Sequence, residues 1–287
     1  MSIPQQQHTI APPSYTPAAP ANKKGYSAIP QSDAEGSAAP AGYAAPEYGF
    51  DPEAPRTDGD AESDDFKYGV TVDQCSAEIR MQFLKKIYSV LFIQVLGTAI
   101  VGAIMSTENI SLWVRENQWA FIAPSFASLI VMGFLFWKRH SHPLNLGLLG
   151  LFTLLESLSL GAVCSYVDSH VVLQALLITT FVFLGLTLYT FQSKRDFSGM
   201  APWLFGGLLF LVGGGLVQLF VPFSHTVDML MAGAGTLVFS GYIVFDTYMI
   251  TRRLSPDEWV LGVISLYLDM INLFLSILRL LNGNRDD

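Results

Sequence analysis

Residues 259–281 read WVLGVISLYLDMINLFLSILRLL. At 1.5 Å per residue this run covers ~34 Å as a helix, enough to cross ~30 Å of hydrocarbon. Asp269 sits near its middle and Arg279 near its end. An ionisable group at that depth is costly in lipid and is a functional candidate by default. Two features therefore come from one stretch: a membrane span, and an acid placed where a membrane makes it expensive.

Working outward, six more apolar runs precede it, at roughly 87–105, 119–137, 143–167, 171–190, 202–223 and 228–250. None holds a Lys or Arg except at its end. Lipid-exposed spans are helical because each backbone N–H and C=O must find its partner within the segment. Period-two alternation is absent, which excludes a β-barrel. Pro143, Pro202 and the turn Ser255-Pro256-Asp257 punctuate the runs. The expected fold is an all-α membrane protein, a seven-transmembrane-helix bundle over residues 78–287. Composition agrees: of 287 residues, 51% are hydrophobic and only 14% charged, against ~25% charged in a soluble domain.

Residues 1–77 differ in kind. Ten of the 15 prolines lie in the first 55 positions, and five acids crowd Asp58 to Asp65. No apolar stretch there offsets the entropy of ordering, so the expectation is a disordered acidic tail. The net charge of −8 splits into −7 for residues 1–80 and −1 for the rest, and no basic stripe with interleaved aromatics suggests nucleic acid. Pro12-Pro13-Ser14-Tyr15 is a PPxY motif. Such a polyproline-II turn ending in Tyr suits the aromatic groove of a WW domain, pointing through Pro12, Pro13 and Tyr15 to a WW-domain ubiquitin ligase as partner.

Orientation follows from Lys and Arg in short loops. The tail's side carries Arg80, Lys85, Lys86, Lys138, Arg139, Lys194, Arg195, Arg252 and Arg253, the other side Arg115, Arg279 and Arg285. The tail is therefore expected in the cytosol. Glu108, Glu116, Asp168 and Asp228 make the far loops acidic.

Three acids lie inside spans: Glu156, Asp246 and Asp269. Asp269 is ~15 Å and Asp246 ~6–10 Å from the basic face. A short turn joins their spans, so the two aspartates are expected to meet. Neighbouring carboxylates in low dielectric cannot both stay ionised cheaply and titrate as one unit, which makes a proton sensor. Once deprotonated, the same oxygens suit Ca²⁺. Arg139, ending span two, is placed to reach inward and neutralise the pair. Glu156 is a candidate for lining the ion route. Asp269 and Asn272 leave open a re-entrant last span. An intramembrane aspartyl protease also needs two facing aspartates, but no GxGD surrounds either, and no enzymatic activity is expected.

Three blocks carry a resemblance. Ile79 to Tyr88 resembles the entry to span one of the transmembrane Bax inhibitor-1 motif family. Gly241-Tyr242-Ile243-Val244-Phe245-Asp246-Thr247 is similar to that family's span-six signature, and Ser265 to Phe274 to its span-seven signature. Phe152-Thr153-Leu154-Leu155-Glu156 resembles span three of the lifeguard branch. The likeness covers about residues 79–281. It implies six helices around a central span seven. It also implies a pH-sensitive Ca²⁺ leak across an internal membrane, with Ca²⁺ as transported ion rather than cofactor. A protective role in cell death or stress, including the unfolded protein response, comes with it, and with that role apoptosis regulators as partners. The endoplasmic reticulum, Golgi and vacuole are the membranes considered. The family's di-aspartyl sensor corresponds to Asp246 and Asp269, and its arginine latch to Arg139 beside Trp137. Tyr248 stands where the family often has Gln, and a lysine-rich C-terminus is missing. The alternative function is a non-conducting membrane platform that acts through partner proteins.

Overall fold

The structure, a computed structural model, describes residues 71–283. Eight helices follow in order: α1 (Ala77–Met105), α2 (Glu108–Glu116), α3 (Trp119–Lys138), α4 (Leu144–Cys164), α5 (Ser169–Gln192), α6 (Ala201–Phe220), α7 (His225–Arg252) and α8 (Trp259–Gly283). All but α2 are long and apolar enough to cross a membrane, and no strand occurs among the described residues. The chain is thus a multi-pass helical membrane protein. The seven long helices alternate in direction between the basic face and a far face.

The last helix is the centre. Its most apolar stretch is 67% buried, against 6–33% for the other six. α8 packs on α7, α5 and α1, while α3 is carried chiefly by α4 and α6 by α7. The approach is close: a Cβ on Gly262 would stand 3.0 Å from both Ile250 and Ile87. α8 runs unbroken through Asp269 and Asn272 as 25 residues, which replaces the re-entrant alternative with one continuous span.

Side chains are distributed as lipid demands. Large apolar residues such as Phe181, Trp203, Leu219 and Leu237 face outward, while Gln94, Thr98, Ser157 and Asp269 are buried. Polar groups then bond across helices, with no water competing. Gln94 Nε2 donates to Thr153 Oγ1 at 2.6 Å, and Thr98 Oγ1 lies 2.9 Å from Ser157 Oγ and 2.7 Å from Tyr267 Oη. This chain of contacts ties α1, α4 and α8 together.

Three sequence boundaries need correction. Span one begins at Ala77 rather than 87. Hydropathy locates where hydrocarbon starts, whereas the helix continues two to three turns beyond it through Arg80, Lys85 and Lys86. Ser76 caps it by accepting from the Ile79 N–H at 3.4 Å. The tail, expected to be disordered to residue 77, joins the fold by residue 71: Val72 is fully buried and its N–H donates to Leu254 O at 2.9 Å. Residues 1–70, with Pro12, Pro13 and Tyr15, lie outside the described residues. Between spans one and two, the short helix α2 buries Val114, and Arg115 Nε donates to Ser165 O at 2.8 Å.

Candidate functional site

Asp246 lies six residues before the end of α7, and Asp269 ten residues after the start of α8. Because the helices are antiparallel neighbours, the two positions come to similar depth. Their carboxyls are within side-chain hydrogen-bonding reach of each other, and Ser265 is a second partner of Asp246. Asp269 is 7% exposed, and its Oδ2 has no hydrogen-bond partner. Tyr242, one turn before Asp246, lies within the field of both acids. Next to Asp246, the fully buried Thr247 faces the Tyr88 hydroxyl, which Thr187 of α5 also faces. None of these three hydroxyls closes a hydrogen bond of good geometry.

The pair can do two things chemically. A shared proton lets one carboxyl donate to the other, which satisfies both in a site short of water. Without that proton, two negative charges stand side by side and attract a cation. Up to four carboxyl oxygens and the Ser265 hydroxyl are available. Ca²⁺ takes six to eight oxygens, and among the described residues no third His, Cys, Asp or Glu joins the pair to form a metal-holding group. The arrangement suits an ion that keeps part of its water and moves on, rather than one held tightly.

The other two sequence candidates are not brought to the pair. Arg139 caps the end of α3, and instead of reaching inward its Nη2 contacts Glu258 Oε1 at 3.4 Å, while its Nε donates to His140 Nε2 at 3.0 Å. The reason is positional. α3 packs on α4, so its end lies over the α7–α8 turn, where a carboxylate is nearer than the buried acids. Lys86 joins from α1, with Nζ 4.0 Å from the Trp259 ring centre. Two cations thus clamp the entrance of α8. Both members of the Arg139–Glu258 pair are partly exposed, at 34% and 27%. A double-mutant cycle with Arg139→Gln and Glu258→Gln, read by thermal unfolding in detergent, should give a coupling of at most about 1 kcal/mol. Glu156 is half-buried on the α3 side of α4 and faces Ser128, whose Oγ donates to Ser125 O at 2.9 Å.

Sequence reading missed Ser265, Thr247 and the hydroxyls of Tyr88 and Thr187. Ser265 was within reach, since it stands four residues before Asp269 on the same helical face. The others meet across three helices and leave no trace in spacing.

With this geometry in view, known proteins offer a comparison. The family model described as inhibitor of apoptosis-promoting Bax1 matches residues 80–286. The chain is similar to protein lifeguard 4 of Mus musculus, with 45% identity over 234 residues, covering 81% of this chain and 97% of the relative. It is 45% identical over 219 residues to the Golgi anti-apoptotic protein of Vaccinia virus strain Lister, covering 76% and 92%. With Bax inhibitor 1 of Schizosaccharomyces pombe it shares 43% over 219 residues, covering 76% and 82%.

Proposed function

We propose, for a chain that belongs to the Bax inhibitor-1 and lifeguard family, a passive, proton-sensitive Ca²⁺ leak across an internal membrane that protects the cell against death signals. The single observation that carries the ion half is the proximity of the Asp246 and Asp269 side chains inside the bundle. Protons and Ca²⁺ compete for the same oxygens there. A leak gated in this way needs two arrangements that differ in affinity for either ion. The candidate moving part is α3 relative to α7 and α8, with Arg139 holding the turn before α8 rather than touching the acids. The protective half draws on the printed names of relatives, an anti-apoptotic Golgi protein of a virus and a yeast Bax inhibitor. The same Golgi name favours an endomembrane, and the nine basic residues of one face favour placing it in the cytosol.

Purified protein in Ca²⁺-loaded liposomes is the direct test. Efflux above that of protein-free vesicles is expected, and it should change between pH 6 and pH 8. Efflux indifferent to pH would remove the proton sensor, and efflux that is absent would remove the leak itself. Function would then pass to the second reading, a non-conducting platform for apoptosis regulators.

A further inference from the structure

The far ends of α6, α7 and α8 are tied together by three side chains. Arg279, in the last turns of α8, donates from Nε to Asp228 Oδ2 at 3.1 Å, and its Nη2 stands 2.8 Å from Asp228 Oδ1. The same Nη2 donates to Gln218 Oε1 at 2.7 Å, and Gln218 Nε2 donates to Asp228 Oδ1 at 3.0 Å. The ring of contacts closes on itself. It also agrees with the helix ends, an acid in the first turn of α7 and a cation near the end of α8.

The three clasp residues line a cavity of about 620 Å³ between α6, α7 and α8, to which Val163 and Val167 also contribute. One wall is a polar stripe on α8. Asn272, Ser276 and Arg279 follow Asp269 at three, seven and ten residues, so all four share a helical face. The cavity is lined by the last three of these, and Asn272 is one turn short of the aspartate. Both short polar side chains of this wall donate back to their own helix: one N–H of Asn272 Nδ2 to Leu268 O, and Ser276 Oγ to Asn272 O, both at 2.8 Å. The Asn272 side-chain oxygen and the Ser276 lone pairs remain as acceptors, beside the second Asn272 N–H. Such oxygens suit water and a hydrated cation, and the charge of Arg279 on the same wall is balanced by Asp228 while the clasp holds. α7 lets this wall come near through Gly235, where a Cβ would lie 2.6 Å from Ser276 Oγ.

We propose that this cavity is the water-filled vestibule by which a hydrated divalent cation approaches Asp269 from the far side, and that the Arg279–Asp228–Gln218 clasp closes it. The inference rests on the reading of the aspartate pair as a cation site. Closed, the clasp cancels the charge of Asp228 at the mouth. Opened, it uncovers a carboxylate above a path of acceptors leading ~15 Å down α8.

Water access is measurable without Ca²⁺. In full-length protein carrying Cys75→Ser and Cys164→Ser, Ser276→Cys is introduced and treated in liposomes with charged, membrane-impermeant methanethiosulfonates. Slow labelling is expected with the clasp intact. Adding Arg279→Gln should speed it roughly tenfold, which is about 1.4 kcal/mol of closure, and more with the cationic reagent than with the anionic one. Arg279→Lys should stay close to the slow rate. Asn272→Cys, a turn deeper, serves as a second position should Ser276→Cys fold poorly. A thiol that never reacts at either position would overturn the vestibule, and equal rates with and without Arg279 would overturn the closure. Ca²⁺ efflux from the same vesicles separates the two readings. Labelling as expected without efflux would sink the conducting role, whereas efflux without labelling would show that ions take another route.

Discussion

Replacing Asp269 by Asn should flatten the pH response of Ca²⁺ efflux between pH 6 and pH 8. On the proposed reading the wild-type pair shares one exchangeable proton, so occupancy by Ca²⁺ should change by up to about tenfold per pH unit across its titration. In Asp269→Asn only one acid remains, its neighbour is a neutral amide of the same shape, and the amide donates to Asp246 without needing a proton. The charge repulsion vanishes, and with it the shared proton with which Ca²⁺ would compete. Asp246→Asn should act alike, since the two titrate as a unit. Asp196 provides the control. Its carboxyl accepts from the Ser198 N–H at 2.8 Å, the Ser198 and Tyr248 hydroxyls face it, Arg253 Nη2 stands 3.9 Å away, and together these hold it down at about 2. A carboxyl so depressed contributes its stabilisation at every pH above its ordinary range and loses it only as pH falls toward 2. Asp196→Asn should therefore leave the pH 6–8 profile of efflux unchanged. A profile altered by Asp196→Asn and untouched by Asp269→Asn would move the sensor out of the bundle core to the surface loop.

The largest stability effect should come from Tyr267→Ala. Tyr267 is fully buried in the central helix, its ring packs edge-on against Phe152 at 6.0 Å between centroids, and its hydroxyl meets Thr98. Removing it empties a space that three helices share and takes one partner from Thr98. Aromatic truncations of this kind cost about 3–5 kcal/mol. Tyr267→Phe keeps the packing, and Thr98 keeps Ser157, so the cost should fall to about 1 kcal/mol. Thermal unfolding of both variants in the same detergent decides between packing and hydrogen bonding as the main tie. Equal losses would mean that the hydroxyl, not the ring, holds α8 to α1 and α4.

Much of this protein was legible from the chain alone because lipid is an unforgiving solvent. Seven apolar runs of sufficient length had to become seven helices, and the expense of an acid in hydrocarbon singled out Asp246 and Asp269 before any coordinates. The short turn from Arg252 to Trp259 already implied that the two helices run side by side. Hydropathy failed where it has no information. It began span one at residue 87, although the helix starts ten residues earlier, and it passed over α2, which at nine residues is too short to cross a membrane.

Arg139 shows a second limit. Its place after span two was plain, but which carboxylate it would meet depended on the packing of α3 against α4, and the choice fell on Glu258. The same holds for Tyr88 with Thr187 and Thr247, and for the clasp of Gln218, Asp228 and Arg279. Each unites residues from three helices and is set by helix rotation and crossing. One-dimensional periodicity is therefore enough to say which side chains are too polar for lipid, because that depends on transfer energies of single residues. Who their partners are depends on distances between helices, which only the assembled bundle determines.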